Sequence, residues 1–210
     1  MSAPSIAVKV CGLTTLADAR HAWRAGADLL GFVMVPASPR YVDAARVASL
    51  VRSLRAEGCS ALMVGVMAVG MGDARDAAVR CELDLVQLHG ACTPSDLQAI
   101  GRPALVAQRV RGPIDWDALA ALGAWGHVLD GYDPVRLGGT GASWDWRLAA
   151  DRPAAVGRVI VAGGLTPDNV TEAVRAARPW GVDVSSGVET TPGRKDPARV
   201  ARFIERTKGA

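Results

Sequence analysis

The chain is short of several things that would have placed it quickly. Aromatic residues make up only 5% of its 210 residues, and six of those ten are Trp. Its longest apolar stretches, such as Leu29 to Val35 and Ala61 to Val69, fall far below the roughly 20 residues of a membrane-spanning helix. Met1 to Lys9 holds no basic segment followed by an apolar run, so no secretory signal is read there. The four cysteines, Cys11, Cys59, Cys81 and Cys92, form no CxxC pair and no zinc spacing. Free thiols are therefore expected, three of them as small buried hydrophobes. Charge of one sign is also missing. Lys and Arg number 24 against 21 Asp and Glu, a formal net of +3, too mild to indicate nucleic acid. A soluble cytoplasmic protein with no membrane or nucleic-acid partner is expected. A monomer is expected too, since no segment specifies a dimer patch, and a dimer stays open.

What is present is a hydrophobic half, 50% of the residues, together with 23 Gly and 12 Pro. That suits a chain with a sizeable core and many short connections, and it excludes disorder and collagen-like structure. One pattern repeats along it. A short apolar run ends in a glycine-rich or polar turn, and an Ala/Arg-rich helical stretch follows. The strand candidates are Ile6–Val10, Leu29–Val33, Ala61–Met67, Leu85–Leu88, Ala104–Gln108, His127–Leu129, Arg158–Ala162 and Val182–Val184. Most are continuous rather than alternating, as in strands covered on both faces. Helices are expected over Thr14–Gly26 and Ala44–Arg55. Three more are expected to open at the cap-proline pairs Thr93-Pro94, Thr166-Pro167 and Asp196-Pro197, where the cap side chain accepts an orphan N–H. A further helix is placed at about Ser143–Ala150. Eight such units with no linker predict a single (β/α)₈ barrel domain over residues 1–210. An open doubly wound sheet is the lesser reading, since no GxGxxG follows the first strand.

In such a barrel the chemistry sits at the C-terminal ends of the strands. Reading just beyond each strand collects Cys11 and Gly12, Arg40, His89, Arg109 and Arg111, Asp130, then Gly138, Gly139, Thr140 and Gly141. Gly163 and Gly164 follow strand seven. Asp183, Ser185, Ser186 and Gly187 come with strand eight. Two glycine- and serine-rich turns in adjacent late units, Gly163-Gly164 and Ser185-Ser186-Gly187, suit a phosphate held by backbone N–H groups. No Ser-His-Asp set and no metal spacing is present. A thiol, Cys11, and a carboxylate, Asp130, face one another across the ring, a pairing suited to acid–base proton transfer.

Several of these segments, in chain order, resemble the phosphoribosylanthranilate isomerase family. They are Lys9-Val10-Cys11-Gly12-Leu13-Thr14, Ser38-Pro39-Arg40-Tyr41, Val86-Gln87-Leu88-His89-Gly90 and Leu129-Asp130. Gly138-Gly139-Thr140-Gly141, Ala162-Gly163-Gly164-Leu165 and Asp183-Val184-Ser185-Ser186-Gly187-Val188-Glu189 complete the set. The resemblance runs over nearly the whole chain. It implies an isomerase of tryptophan biosynthesis that performs an Amadori rearrangement of a small phosphorylated substrate, with no cofactor and no metal. It implies Asp130 as general acid, Cys11 as general base, and Arg40 as the grip on the anthranilate carboxylate. His89, Asp183, Gly138 and Gly139 would contact substrate, the two glycines in a flap over it. The chain departs from the family pattern at Ala142-Ser143-Trp144, Ala91-Cys92 and Met67-Ala68-Val69, which concern the flap and pocket walls. A relative acting on another N-linked ribose phosphate, and a silent phosphate-binding barrel, are the alternatives.

Overall fold

The computed structural model describes residues 6–70, 73–131 and 144–210. Eight parallel strands close into a barrel in chain order, β1 pairing with both β2 and β8. The strands are β1 Ala7–Cys11, β2 Leu29–Val33, β3 Leu62–Ala68, β4 Leu85–His89, β5 Ala104–Val110, β6 Gly126–Gly131, β7 Arg158–Val161 and β8 Gly181–Val184. Each expected strand is present, Leu29–Val33 with the expected bounds and the others with ends moved by no more than two residues.

Helices α1 Leu16–Arg24, α2 Ala44–Ala56, α3 Ala74–Arg80, α4 Pro94–Ile100, α5 Trp116–Ala121, α6 Val170–Ala177 and α7 Pro197–Lys208 cover the outside. Their starts follow the side-chain chemistry. Thr93 and Asp96 close a reciprocal capping box on α4, and the Asp196 carboxylate accepts the N–H groups of Ala198 and Arg199 at α7. The expected start at Thr166-Pro167 is corrected. Asn169 instead bridges the loop, accepting from Thr166 N–H and donating to the Gly164 carbonyl, and α6 begins at Val170. The helix expected at about Ser143–Ala150 is also corrected. Only a 3₁₀ turn, Trp146–Ala149, stands there, followed by another at Ala154–Val156. Gly138, Gly139 and the flap expected there lie outside the described residues.

The core has two parts. The larger packs the outward strand faces under the helices, as with Val8, Val10, Leu30, Phe32, Val86, Leu129 and Val182. The smaller fills the lower barrel with Leu29, Val64, Leu85, Leu105, Val128 and Ile160, and Trp125 and Trp180 pack against it where β6 and β8 begin. Residues alternate across a strand, so the inward ladder continues upward into polar positions. Above Ala7 stand Lys9 and Cys11, above Leu85 stand Gln87 and His89, and above Val128 stands Asp130. The apolar strand sequence therefore hides a polar upper half of the barrel interior. A small antiparallel hairpin, β9 Glu189–Thr191 with β10 Arg194–Lys195, lies outside the eight-unit pattern, after β8. Among the described residues no helix is long and apolar enough to cross a membrane.

Candidate active site

The upper interior begins with a buried ion pair. Lys9 Nζ lies 2.9 Å from Asp183 Oδ2, and the lysine has no exposed surface. The two residues are register partners on β1 and β8, so barrel closure itself makes the contact. Burial would push the lysine down, but the Asp183 carboxylate and neighbouring Cys11 outweigh it and hold Lys9 above its ordinary range. Asp183 Oδ1 is buried with no hydrogen-bond partner among the described residues, as is Gln87 Oε1.

Cys11 is the next inward residue of β1 and is buried. Burial, and after it the Asp183 carboxylate, push its thiol up, while the Lys9 and Lys195 ammonium groups pull the other way. The backbone register sets Cys11 beside Gly31 of β2. A Cβ at Gly31 would stand 2.9 Å from Cys11 Sγ and 3.2 Å from Lys9 Nζ, so a missing side chain makes the room for both groups. Asp130 ends the inward ladder of β6. Burial, then the negative charge of Asp183, lifts its carboxyl to about 6, with Arg109 and Lys9 opposing. It is the kind of carboxyl that can hold a proton close to neutrality. His89 moves the opposite way, to about 4, because burial and the cations Lys9 and Arg109 disfavour its charge. Its Nε2 lies 3.0 Å from Gln87 Nε2, and at neutral pH it is an uncharged imidazole.

The loops beyond the strands converge above this layer. Gly163 and Gly164 both have positive φ, +80° and +69°. A Cβ at Gly163 would meet Gly131 N at 2.3 Å and Asp130 Oδ1 at 2.7 Å. One at Gly187 would lie 1.9 Å from the Leu165 carbonyl. The β7 and β8 turns therefore touch backbone to backbone, and Ser185 and Ser186 stand in the same turn. The expected phosphate residues are thus brought together.

Arg40, from the loop after β2, is engaged by a residue the sequence reading passed over. Its Nε and Nη2 donate to the two Glu189 carboxylate oxygens at 2.9 and 2.7 Å. Lys195 Nζ donates to Glu189 Oε1 at 2.8 Å and to the Ser185 carbonyl at 3.1 Å. Glu189 and Lys195 are both buried, and they belong to the hairpin that follows β8. Lys9 was also passed over as a site residue. The one local signal for it was a lysine inside an otherwise apolar strand. No local signal marks Lys195. Among the described residues no group of three or more His, Cys, Asp or Glu could hold a metal ion.

Comparison with known proteins gives a consistent result. A family model described as N-(5'phosphoribosyl)anthranilate (PRA) isomerase matches residues 8–206. The N-(5'-phosphoribosyl)anthranilate isomerase of Geobacter sulfurreducens is 44% identical over 210 residues, covering 97% of this chain and 99% of that one. Phosphoribosyl anthranilate isomerase from Thermotoga maritima superposes with a TM-score of 0.87 at 32% identity, covering 98% of this chain and all of that one. A crystal structure of such an isomerase in complex with reduced 1-(o-carboxyphenylamino)-1-deoxyribulose 5-phosphate superposes at 0.83, with 30% identity over 98% of this chain and 100% of that one.

Proposed function

The chain belongs to the N-(5'-phosphoribosyl)anthranilate isomerase family, and from that premise we propose that it converts N-(5-phosphoribosyl)anthranilate to 1-(2-carboxyphenylamino)-1-deoxyribulose 5-phosphate. Asp130 is the general acid. It protonates the furanose ring oxygen, the C1–O bond breaks as the anthranilate nitrogen lone pair forms a C1=N bond, and the ring opens to a protonated imine. Cys11 is the general base and removes the proton from C2. The resulting enolamine tautomerises to the ketone, so the rearrangement moves protons and needs no external oxidant.

One observation carries this reading: a carboxyl raised to about 6 and a buried thiol occupy the inward face of the same barrel mouth. The rim supports it. Gly163, Gly164, Ser185, Ser186 and Gly187 hold the phosphate through backbone N–H groups and hydroxyls. Glu189 takes the side fork of Arg40, Nε with Nη2, and leaves the end fork, Nη1 with Nη2, for a second carboxylate. That second carboxylate is the anthranilate's. Asp183 and His89 line the wall between the two ends. His89 stays neutral and serves by hydrogen bonding.

The test is loss of the substrate's fluorescence when protein is added. Cys11→Ala and Asp130→Ala are each expected to lower turnover by about two orders of magnitude or more. Near-normal rates in both variants would overturn the assignment.

A further inference from the structure

A lysine with no exposed surface is unusual, and a buried ion pair is weak evidence of stabilisation, because well-packed apolar residues often serve the fold as well or better. Lys9 therefore calls for an explanation beyond stability. Its surroundings supply one. Lys9 and Cys11 are successive inward residues of β1, and Sγ and Nζ both border the space beside Gly31, 2.9 and 3.2 Å from the position a Cβ would take. Two atoms that close to one point, 2.9 and 3.2 Å from it, lie no more than about 6 Å apart, near enough for their charges to interact strongly in a buried setting. Lys9 Nζ is anchored on the other side by Asp183 Oδ2, so it cannot swing away from the sulfur without breaking a buried pair.

The charged groups facing Cys11 come from four elements. Lys9 is on its own strand and Asp183 is on β8. Lys195 is on the hairpin, and Arg40 is on the loop after β2. Glu189 joins Arg40 to Lys195. Three cations and two carboxylates leave a formal excess of one positive charge around the sulfur, and a thiolate would neutralise it.

We propose that Lys9 is a positioning residue for the isomerisation, its ammonium locked on Asp183 so as to hold negative charge on the Cys11 sulfur. This rests on Cys11 being the base, and it names the group that makes a buried thiol usable as one. Asp183 has a double part: it anchors Lys9, and its charge keeps the proton on Asp130.

The experiment follows the Cys11 thiolate by its ultraviolet absorbance against pH in the full-length protein, with the same titration of Cys11→Ala subtracted. Lys9→Met and Lys9→Gln are expected to lower the thiolate fraction at a given pH about tenfold or more, one pH unit in the titration. Their kcat falls in proportion, with KM little changed. Lys9→Arg, which keeps the charge, restores most of the thiolate. A second measurement does not depend on the neutral variants folding. Coupling is reciprocal, so the Lys9 side chain, followed by NMR, should lose its proton at lower pH in Cys11→Ala than in the parent. An unmoved Cys11 titration in the neutral variants, or an unmoved Lys9 titration in Cys11→Ala, overturns the proposal. Wild-type turnover by Cys11→Ala would instead remove the general-base assignment, whatever the two titrations show.

Discussion

At the scale of single residues, the proposed acid and base are tuned in directions that make the working protonation state a minority. Asp130 is lifted only to about 6, while burial pushes Cys11 above its ordinary 9.0. At neutral pH most molecules thus hold an ionised Asp130 and a neutral Cys11, the reverse of what the proposed mechanism uses. The product of the two fractions rises with pH up to about 6, stays level, and falls above the thiol titration. A kcat/KM profile of the free enzyme is expected to show that plateau, and a lower limb in the ordinary carboxylate range would contradict it. Stability responds as well. The folded Asp130 carboxyl binds its proton more tightly than the unfolded one. Its contribution is therefore fully present below the ordinary 3.8 and is lost as pH rises through about 6. The raised value corresponds to about 3 kcal/mol of destabilised carboxylate. Asp130→Asn should gain stability of that order over the parent at pH well above 6, and the gain should shrink toward zero below the ordinary carboxylate range. Denaturant unfolding at the two pH extremes measures it.

At the scale of elements, the site depends on turns that meet without side chains between them. Gly187 abuts the Leu165 carbonyl so closely that a Cβ would sit 1.9 Å from it. Gly187→Ala must part the β7 and β8 turns. It is expected to cost about 1–3 kcal/mol, as overpacking does, and to weaken inorganic phosphate binding at least tenfold by calorimetry, which is about 1.4 kcal/mol. Gly112→Ala is the control, since a Cβ there meets nothing within 4 Å and both quantities should hold. Strands and most helices were legible in the sequence because each depends on local cues, such as an apolar run, a cap or a proline. In the sixth connection the helix expected at about Ser143–Ala150 gives way to a 3₁₀ turn, which Asp145 opens by accepting the Arg147 N–H. The hairpin of Glu189–Lys195 went unread because nothing local distinguishes it from a loop; its reason is the ion cluster it carries to Arg40.

For the whole molecule, chemistry and support lie at opposite ends of the barrel, as in this architecture generally. At the lower end Trp125 and Trp180 meet edge to face, with ring centroids 5.4 Å apart. The Arg158 guanidinium lies 4.3 Å from the Trp125 ring centroid. Two of the six Trp residues thus pack beneath the interior core where β6 and β8 begin. Trp180→Ala is expected to cost about 3 kcal/mol, the scale of removing a large aromatic from a core, while kcat and KM stay close to wild type. A large loss of kcat in a variant that remains folded would show that the two ends are coupled.

The sequence by itself determined the barrel, the order of its strands, and the rim residues Cys11, Asp130, Gly163, Gly164, Ser185, Ser186 and Gly187. Each of these follows from a local pattern, or from a motif at a strand end. It did not determine which groups share charge. Lys9 reaches Asp183 across 174 residues of chain, and Arg40 reaches Glu189 across 149. Neither contact exists until β8 closes against β1 and the hairpin folds over the rim. The direction in which each titratable group moves depends on burial and on these distant partners together. That is why the tertiary structure, rather than the spacing of residues along the chain, decided that Asp130 holds a proton near pH 6, that His89 stays neutral, and that a buried lysine stands beside the thiol.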